Sequence, residues 1–254
     1  MNTTLLPHVL PHVKPNRLVN LVLALLLTGL TAGFWFNFQD SYFGGLVLND
    51  AMDYAGIARN ITEGQGITSQ YSTPLSLVYS SIPQPDMWRA PGWPLFLALF
   101  QAALGSTDEA SAWAGGICFI LAAPLIFLLA LSLFGQRLAG MLTGLLAWLF
   151  YLFSPQFLDY SISGMTESVS ILLMLPLMVL LFSHSGFNWP ISLLIGLVLG
   201  FFYLTRYNAI LFLPFVLALR FWQCPKNGRF KAVLLVLAGL LLVVSPWMIS
   251  NICL

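Results

Sequence analysis

Asn49-Asp50-Ala51-Met52-Asp53-Tyr54-Ala55-Gly56-Ile57-Ala58-Arg59-Asn60 is the charged centre of the only long polar segment in an otherwise apolar chain. From Asp50 to Glu63 there are few breakers, and Ala51, Tyr54, Ala55 and Ala58 recur at helical spacing. The segment reads as a helix with one apolar face, ended by Gly64 and Gly66. Apolar runs long enough to cross a bilayer flank it on both sides, so the helix lies along a membrane surface. The fold that follows is all-α: a polytopic bundle of transmembrane helices.

Composition agrees. The chain is 59% hydrophobic and 7% charged, with a mean hydropathy of +0.87. Soluble domains carry about 25% charged residues, so lipid must cover most of this one. A net charge of +1 gives no footprint for nucleic acid. Of the three cysteines, Cys118 and Cys253 fall in apolar spans and Cys224 in a basic loop, which makes no disulfide framework. No P-loop, dinucleotide fingerprint or Cys/His zinc pattern is present.

A helix needs about 20 apolar residues to cross the hydrocarbon core. Seven stretches qualify or come close: 18–38, 112–134, 138–153, 168–183, 190–205, 209–222 and 232–250. The short ones are expected to tilt, to extend at their ends or to be shielded by neighbours. The first follows Lys14 and Arg17 and lacks a small-residue cleavage site between Asn37 and Tyr42, so it reads as an uncleaved signal anchor. Connections such as Gly135-Gln136-Arg137 imply antiparallel hairpins. Residues 1–254 are read as a single membrane domain.

Charge sets the orientation. With the N-terminus in the cytoplasm, the inner segments hold Lys14, Arg17, Arg137, Arg220, Lys226, Arg229 and Lys231, and the outer ones only Arg59, Arg89 and Arg206. That bias follows the positive-inside rule. All nine acidic residues fall on the outer side. The outer segments are then about 39–111, 154–167, the Thr205–Asn208 link and the C-terminal end. Within 39–111, residues 67–90 read as loop. Pro94 to Leu104 reads as a second interfacial or re-entrant helix, with Pro91 and Pro94 at its start.

These residues also carry a family resemblance. Asp50-x-x-x-Tyr54-x-x-x-Ala58-Arg59-Asn60, then Gly64, Arg89-Ala90-Pro91-Gly92-Trp93-Pro94-Leu95 and Leu104-Gly105 resemble the first external loop of polytopic glycosyltransferases of the GT-C fold. The nearest group is the protein mannosyltransferase and aminoarabinose transferase relatives, which use polyprenyl-phosphate sugars. Ser154-Pro155-Gln156-Phe157 to Thr166-Glu167 resembles their second external loop. Gly196 to Gly200 with Leu204-Thr205-Arg206 resembles a helix end of theirs, and Ser245-Pro246-Trp247 with Asn251 a later segment. Ala51 stands where the family often has an acidic residue, and Ser250 where it has Arg. Full-length relatives continue beyond this length, so the resemblance implies an N-terminal portion or a shortened member.

The resemblance implies an inverting transferase that moves a sugar from a polyprenyl-phosphate donor to a lipid, glycan or protein acceptor at the extracytoplasmic face. In a bacterium the membrane would be the inner (cell) membrane, with the N-terminus cytoplasmic. Asp50 carries over as the catalytic base, because a phosphate leaving group needs no strong acid and one carboxylate suffices. Its competing reading is a helix N-cap, with Asn49 as rival. Asp53, one turn on, either joins that site, binds a divalent metal, or belongs to a solvated face. Glu167 carries over as a second acidic residue, against a first-turn Glu capped by Ser163 or Thr166; Asp159 is its rival. Arg89 and Arg206 carry over to the donor phosphate, for which arginine offers paired donors. Arg59 is expected to pair with a carboxylate of its own loop and hold the helix, with a direct place in the site as the alternative. Tyr54 could stack on a sugar, whereas Trp88 and Trp93 read as interfacial aromatics.

His8 and His12 have metal-like spacing, but Pro7 and Pro11 break the helix that would align them. Asn60-Ile61-Thr62 matches a glycosylation sequon by chance. The competing functional classes are a transporter or lipid-binding protein without chemistry, and an inactive fragment. Transporters place functional charge mid-span, and these spans hold almost none.

Overall fold

The computed structural model describes residues 17–71, 79, 82–135, 138–184 and 186–253. Lys14, His8, His12, Arg137 and residues 72–78 lie outside them. The described residues form ten α-helices and a two-stranded ribbon.

Helix α1 spans Arg17–Tyr42, α4 Asp108–Phe134 and α10 Arg229–Cys253. These three are long and apolar enough to cross a bilayer unaided. Helix α5 (Leu138–Leu152) and the short α6 (Pro155–Ile162) make a fourth candidate, bent by 59° at their junction. From sequence, 154–167 reads as an outer loop. Pro155 instead starts α6, because its fixed φ suits the first helical turn. Helices α7 (Glu167–Ser183) and α8 (Trp189–Thr205) have 17 residues each, about 25 Å at 1.5 Å per residue. The expected span at 209–222 is shorter still: a 3-10 turn over Tyr207–Leu211, then α9 (Phe212–Gln223).

The core has two lobes that share α7. In the first, α1, α5 and α6 pack around α4 through Trp35, Phe119, Phe127, Trp148 and Leu158. Indole N–H groups buried there are satisfied: Trp35 Nε1 donates to Ser161 Oγ and Trp148 Nε1 to Thr31 Oγ1, each at 2.9 Å. In the second lobe, Leu177, Leu181, Ile195, Leu199, Val216, Val236 and Leu240 join α7, α8, α9 and α10. Helices α8 and α10 approach closely at Gly196, Gly200 and Gly239. A Cβ at Gly200 would lie 2.8 Å from that of Val243, and one at Gly196 would run into the Val236 carbonyl. Small residues at a membrane helix crossing allow this backbone contact.

The interfacial layer is α2 (Asn49–Thr62) and α3 (Gly92–Leu104). Ala51, Tyr54, Ala55 and Ala58 of α2 are buried, as their spacing predicts. Tyr54 and Ala58 pack with Trp93, Leu97 and Ala98 of α3, Ala114 and Cys118 of α4, and Val169 of α7. Helix α3 starts two residues earlier than expected. The intervening loop is not featureless: β1 (Thr68–Ser69) pairs antiparallel with β2 (Gln84–Pro85). Asn60 Nδ2 donates to the Thr68 carbonyl at 2.8 Å, fixing the ribbon to the end of α2.

The bundle is polarised. Glu167, at the start of α7, is bound to Arg206 at the end of α8. Across the length of α7, the carbonyl of His184 accepts from Arg220 at the end of α9. Lys226, Arg229 and Lys231 follow at that second end.

Candidate active site

At the acidic end, one guanidinium gathers two carboxylates. Arg89 Nη2 lies 2.8 Å from Asp50 Oδ1 and 2.5 Å from Asp53 Oδ2. Asp50 and Asp53 are three residues apart on α2 and so share a face. The Arg89 guanidinium also sits 5.2 Å above the Tyr54 ring, a cation–π distance. Burial opposes the charge on Arg89, but the bonds from Asp50 and Asp53 more than offset it and raise its pKa.

The environment separates the two carboxylates. The Asp50 side chain is 50% exposed and that of Asp53 21%. Asp53 is also bound by the Tyr71 hydroxyl. Burial, then that bond, pushes the Tyr71 phenol up. Burial raises Tyr54 as well, with Arg89 opposing. Both phenols therefore stay protonated at neutral pH.

Three further contacts hold Arg89. Asp86 is buried, and its Oδ1 accepts from the backbone N–H of Trp88 at 3.0 Å and of Arg89 at 2.8 Å. The Tyr207 hydroxyl donates to the Arg89 carbonyl at 3.3 Å and accepts from Trp247 Nε1 at 3.2 Å. Gly92 seats the loop on the end of α8, where a Cβ would lie 2.8 Å from the Leu204 carbonyl oxygen. Only glycine fits that approach, and it brings the Arg89 loop beside the Thr205–Tyr207 link.

A second ion pair borders the first. Arg206 Nη1 lies 2.8 Å from Glu167 Oε1, while Glu167 Oε2 is buried without a partner among the described residues. Both Glu167 and Asp50 act electrostatically on Tyr54, so the two pairs share one neighbourhood. Asp86 Oδ2 is likewise buried without a partner among the described residues.

The structure thus brings together Asp50, Asp53, Tyr54 and Arg89, with Glu167 and Arg206 beside them. It separates the rest. Asp159 lies on α6 in a groove with Tyr42, Val47 and Leu48. Among the described residues Arg59 pairs with no carboxylate; it donates to the Ser106 carbonyl at 3.3 Å, because the end of α2 points toward the α3–α4 turn. Neither Asp50 nor Asn49 caps α2. The helix begins at Asn49 with Leu48 at the cap and no side-chain cap bond, and Asp50 is spent on Arg89. Glu167 stands in the first turn of α7 behind Thr166, which makes no side-chain cap bond. One face of the Tyr54 ring holds Arg89, which removes that face from sugar stacking. Trp93 is fully buried and donates to the Gly164 carbonyl at 2.8 Å, so it anchors α3 instead of lying at the lipid interface. Among the described residues no three His, Cys, Asp or Glu side chains gather as a metal site.

Sequence reasoning missed Asp86, Tyr71 and Tyr207, and gave Trp247 no role. Trp247 had a signal, the Ser245-Pro246-Trp247 motif. Tyr207 had only its place beside Arg206.

A polytopic helical bundle with carboxylates and arginines clustered at one end defines an integral membrane protein with a polar cluster at one end of its helices. The family model described as dolichyl-phosphate-mannose-protein mannosyltransferase matches residues 88–249, more than half of the chain, and the chain belongs to that family. It is a membrane glycosyltransferase that uses a lipid-linked sugar. The matched stretch includes Arg89, Glu167, Arg206, Tyr207 and Trp247; Asp50 and Asp53 precede it. Comparison with curated proteins and with solved structures gave no match.

Proposed function

We propose that the protein transfers a sugar from a polyprenyl phosphate to an acceptor hydroxyl, with inversion, at the extracytoplasmic face, with Asp50 as base. The observation that carries this reading is the sharing of Arg89 between Asp50 and Asp53 at the acidic end of the bundle. In a bacterium the site would face outward from the inner membrane.

The chemistry runs as a single displacement. The acceptor oxygen attacks the anomeric carbon from the side opposite the phosphate. Asp50, the more exposed carboxylate, takes the hydroxyl proton. The bond from the anomeric carbon to the phosphate oxygen breaks, and its electron pair stays on the phosphate. Arg89 and Arg206 neutralise that charge, the electrostatic work that dominates many such transfers. A donor phosphate arriving at Arg89 competes with Asp50 for the guanidinium. Donor binding thereby frees the Asp50 carboxylate for the acceptor, while Tyr71 still holds Asp53 in place.

The test is Asp50→Asn in membranes, assayed with polyprenyl-phosphate-linked mannose as the first donor, after the family's description. The amide keeps the shape but takes no proton. Transfer is expected to fall by about 10²–10⁴-fold, the usual contribution of a general base. Activity within a few-fold of wild type rules out Asp50 as base. Asp53→Asn, by contrast, is expected to weaken donor use by loosening Arg89.

A further inference from the structure

We infer that Tyr207 and Trp247 are positioning residues for Arg89, so that the last helix, α10, sets the geometry of the donor site. The inference rests on the reading of Arg89 as a donor-phosphate ligand.

Three groups from different parts of the chain meet in one line. Trp247 Nε1 donates to the Tyr207 hydroxyl, and that hydroxyl donates to the Arg89 carbonyl. On the other side of the same residue, Asp86 accepts the Arg89 N–H. The backbone of Arg89 is therefore held at both its polar atoms, and each hold comes from a side chain. Regular structure among the described residues of the loop is short: β1 and β2 have two residues each, and α3 begins at Gly92.

A guanidinium at the end of a flexible stem recognises phosphate well only if its base is fixed, since geometry set in advance costs no ordering on binding. Tyr207 supplies that fixing across 118 positions of sequence, and Trp247 fixes Tyr207 from a further 40. Tyr207 directly follows Arg206, the second arginine of the site. One short link thus presents one phosphate ligand and positions the other.

The relay has a distinctive genetic signature. Tyr207→Phe removes the hydroxyl that serves both partners. It is expected to lower kcat/KM for the donor about ten-fold, mainly through KM, the size expected for one hydrogen bond. Trp247→Phe, which leaves the Tyr207 hydroxyl on Arg89, is expected to cost about three-fold. The double variant is expected to match Tyr207→Phe alone, because the indole acts through the hydroxyl. In an Arg89→Ala background neither change is expected to matter.

Donor curves for these variants in matched membranes, normalised to folded protein, decide it. A wild-type curve for Tyr207→Phe beside an impaired Arg89→Ala overturns the positioning role. So does an equal loss from Tyr207→Phe with and without Arg89, which would place the phenol on the substrate itself. An unchanged Arg89→Ala curve removes the donor reading, and the positioning role with it. Should Tyr207→Phe fail to reach the membrane, Trp247→Phe carries the same test, and a wild-type curve there overturns the relay.

Discussion

Arg206 at the end of α8 and Glu167 at the start of α7 are bound at 2.8 Å, which ties the two helix ends together beside the Arg89 cluster. Arg206 is 43% exposed at its side chain, so the pair adds only about 0.2–1 kcal/mol to stability. On the proposed donor role of Arg206, the pair serves to aim it. Glu167→Gln is expected to leave the melting temperature within a few degrees and to weaken donor use about ten-fold. The reversed pair, Glu167→Arg with Arg206→Glu, separates the roles. A structural pair is restored by reversal, whereas a phosphate ligand is not, so recovered transfer would assign the pair to folding alone.

Arg89→Ala is expected to weaken donor use by one to two orders of magnitude, since charge-assisted bonds contribute roughly 1.5–3 kcal/mol each. Arg89→Lys is expected to recover only part, because an ammonium lacks the planar fork that can hold Asp53 and a phosphate together. Donor-dependence curves measure both. General lipid anchoring predicts lost insertion instead, with normal curves for the protein that does insert.

Gly92→Ala tests the seat of the Arg89 loop on α8. The new methyl meets backbone at Leu204 and Thr205, which cannot swing aside as a side chain would. Overpacking of this kind costs about 1–3 kcal/mol. The lost stability is expected to appear with a donor defect, because α3 carries the loop outward as it shifts. A fully active, fully stable Gly92→Ala would show that the loop sits elsewhere.

Arg220 is fully buried at the opposite end of the bundle, with no carboxylate partner among the described residues. Its guanidinium donates to the His184 and Gly186 carbonyls, Ser192 Oγ and Gln223 Oε1 at 2.9–3.1 Å. It joins α9 to the turn between α7 and α8. Arg220→Leu strands those acceptors and is expected to cost about 2–4 kcal/mol, with specific activity of the folded fraction unchanged. Thermal unfolding in detergent and activity per folded molecule are the two readings; lost activity at normal stability would give Arg220 a role in the reaction.

Orientation is tested by single cysteines at the exposed positions Gln65 and Asn227, in a chain with Cys118, Cys224 and Cys253 replaced by serine. An impermeant reagent outside intact cells is expected to label Gln65→Cys and spare Asn227→Cys. The reverse pattern inverts the protein and removes the extracytoplasmic site.

Apolar run length and the clustering of charge determined most of the architecture. Lipid contact demands long apolar helices with satisfied backbones, and that demand is written residue by residue. Hence the helical stretches, the interfacial α2 with its Ala51, Tyr54, Ala55 and Ala58 face, and α3 were all legible. The helix at Pro155 was not, because eight residues of mixed polarity carry too little periodicity. The candidate residues Asp50, Arg89, Glu167 and Arg206 were legible from their motifs. Their pairing was not. Arg59 and Arg89 are both basic residues of one polar segment, and nothing in the sequence says which one meets Asp50. Tertiary packing decided that: Gly92 lies against Leu204, Asp86 and Tyr207 grip the Arg89 backbone, and α2 ends facing Ser106. Ion pairing is set by distance in space between side chains many residues apart, and only the folded chain fixes that distance.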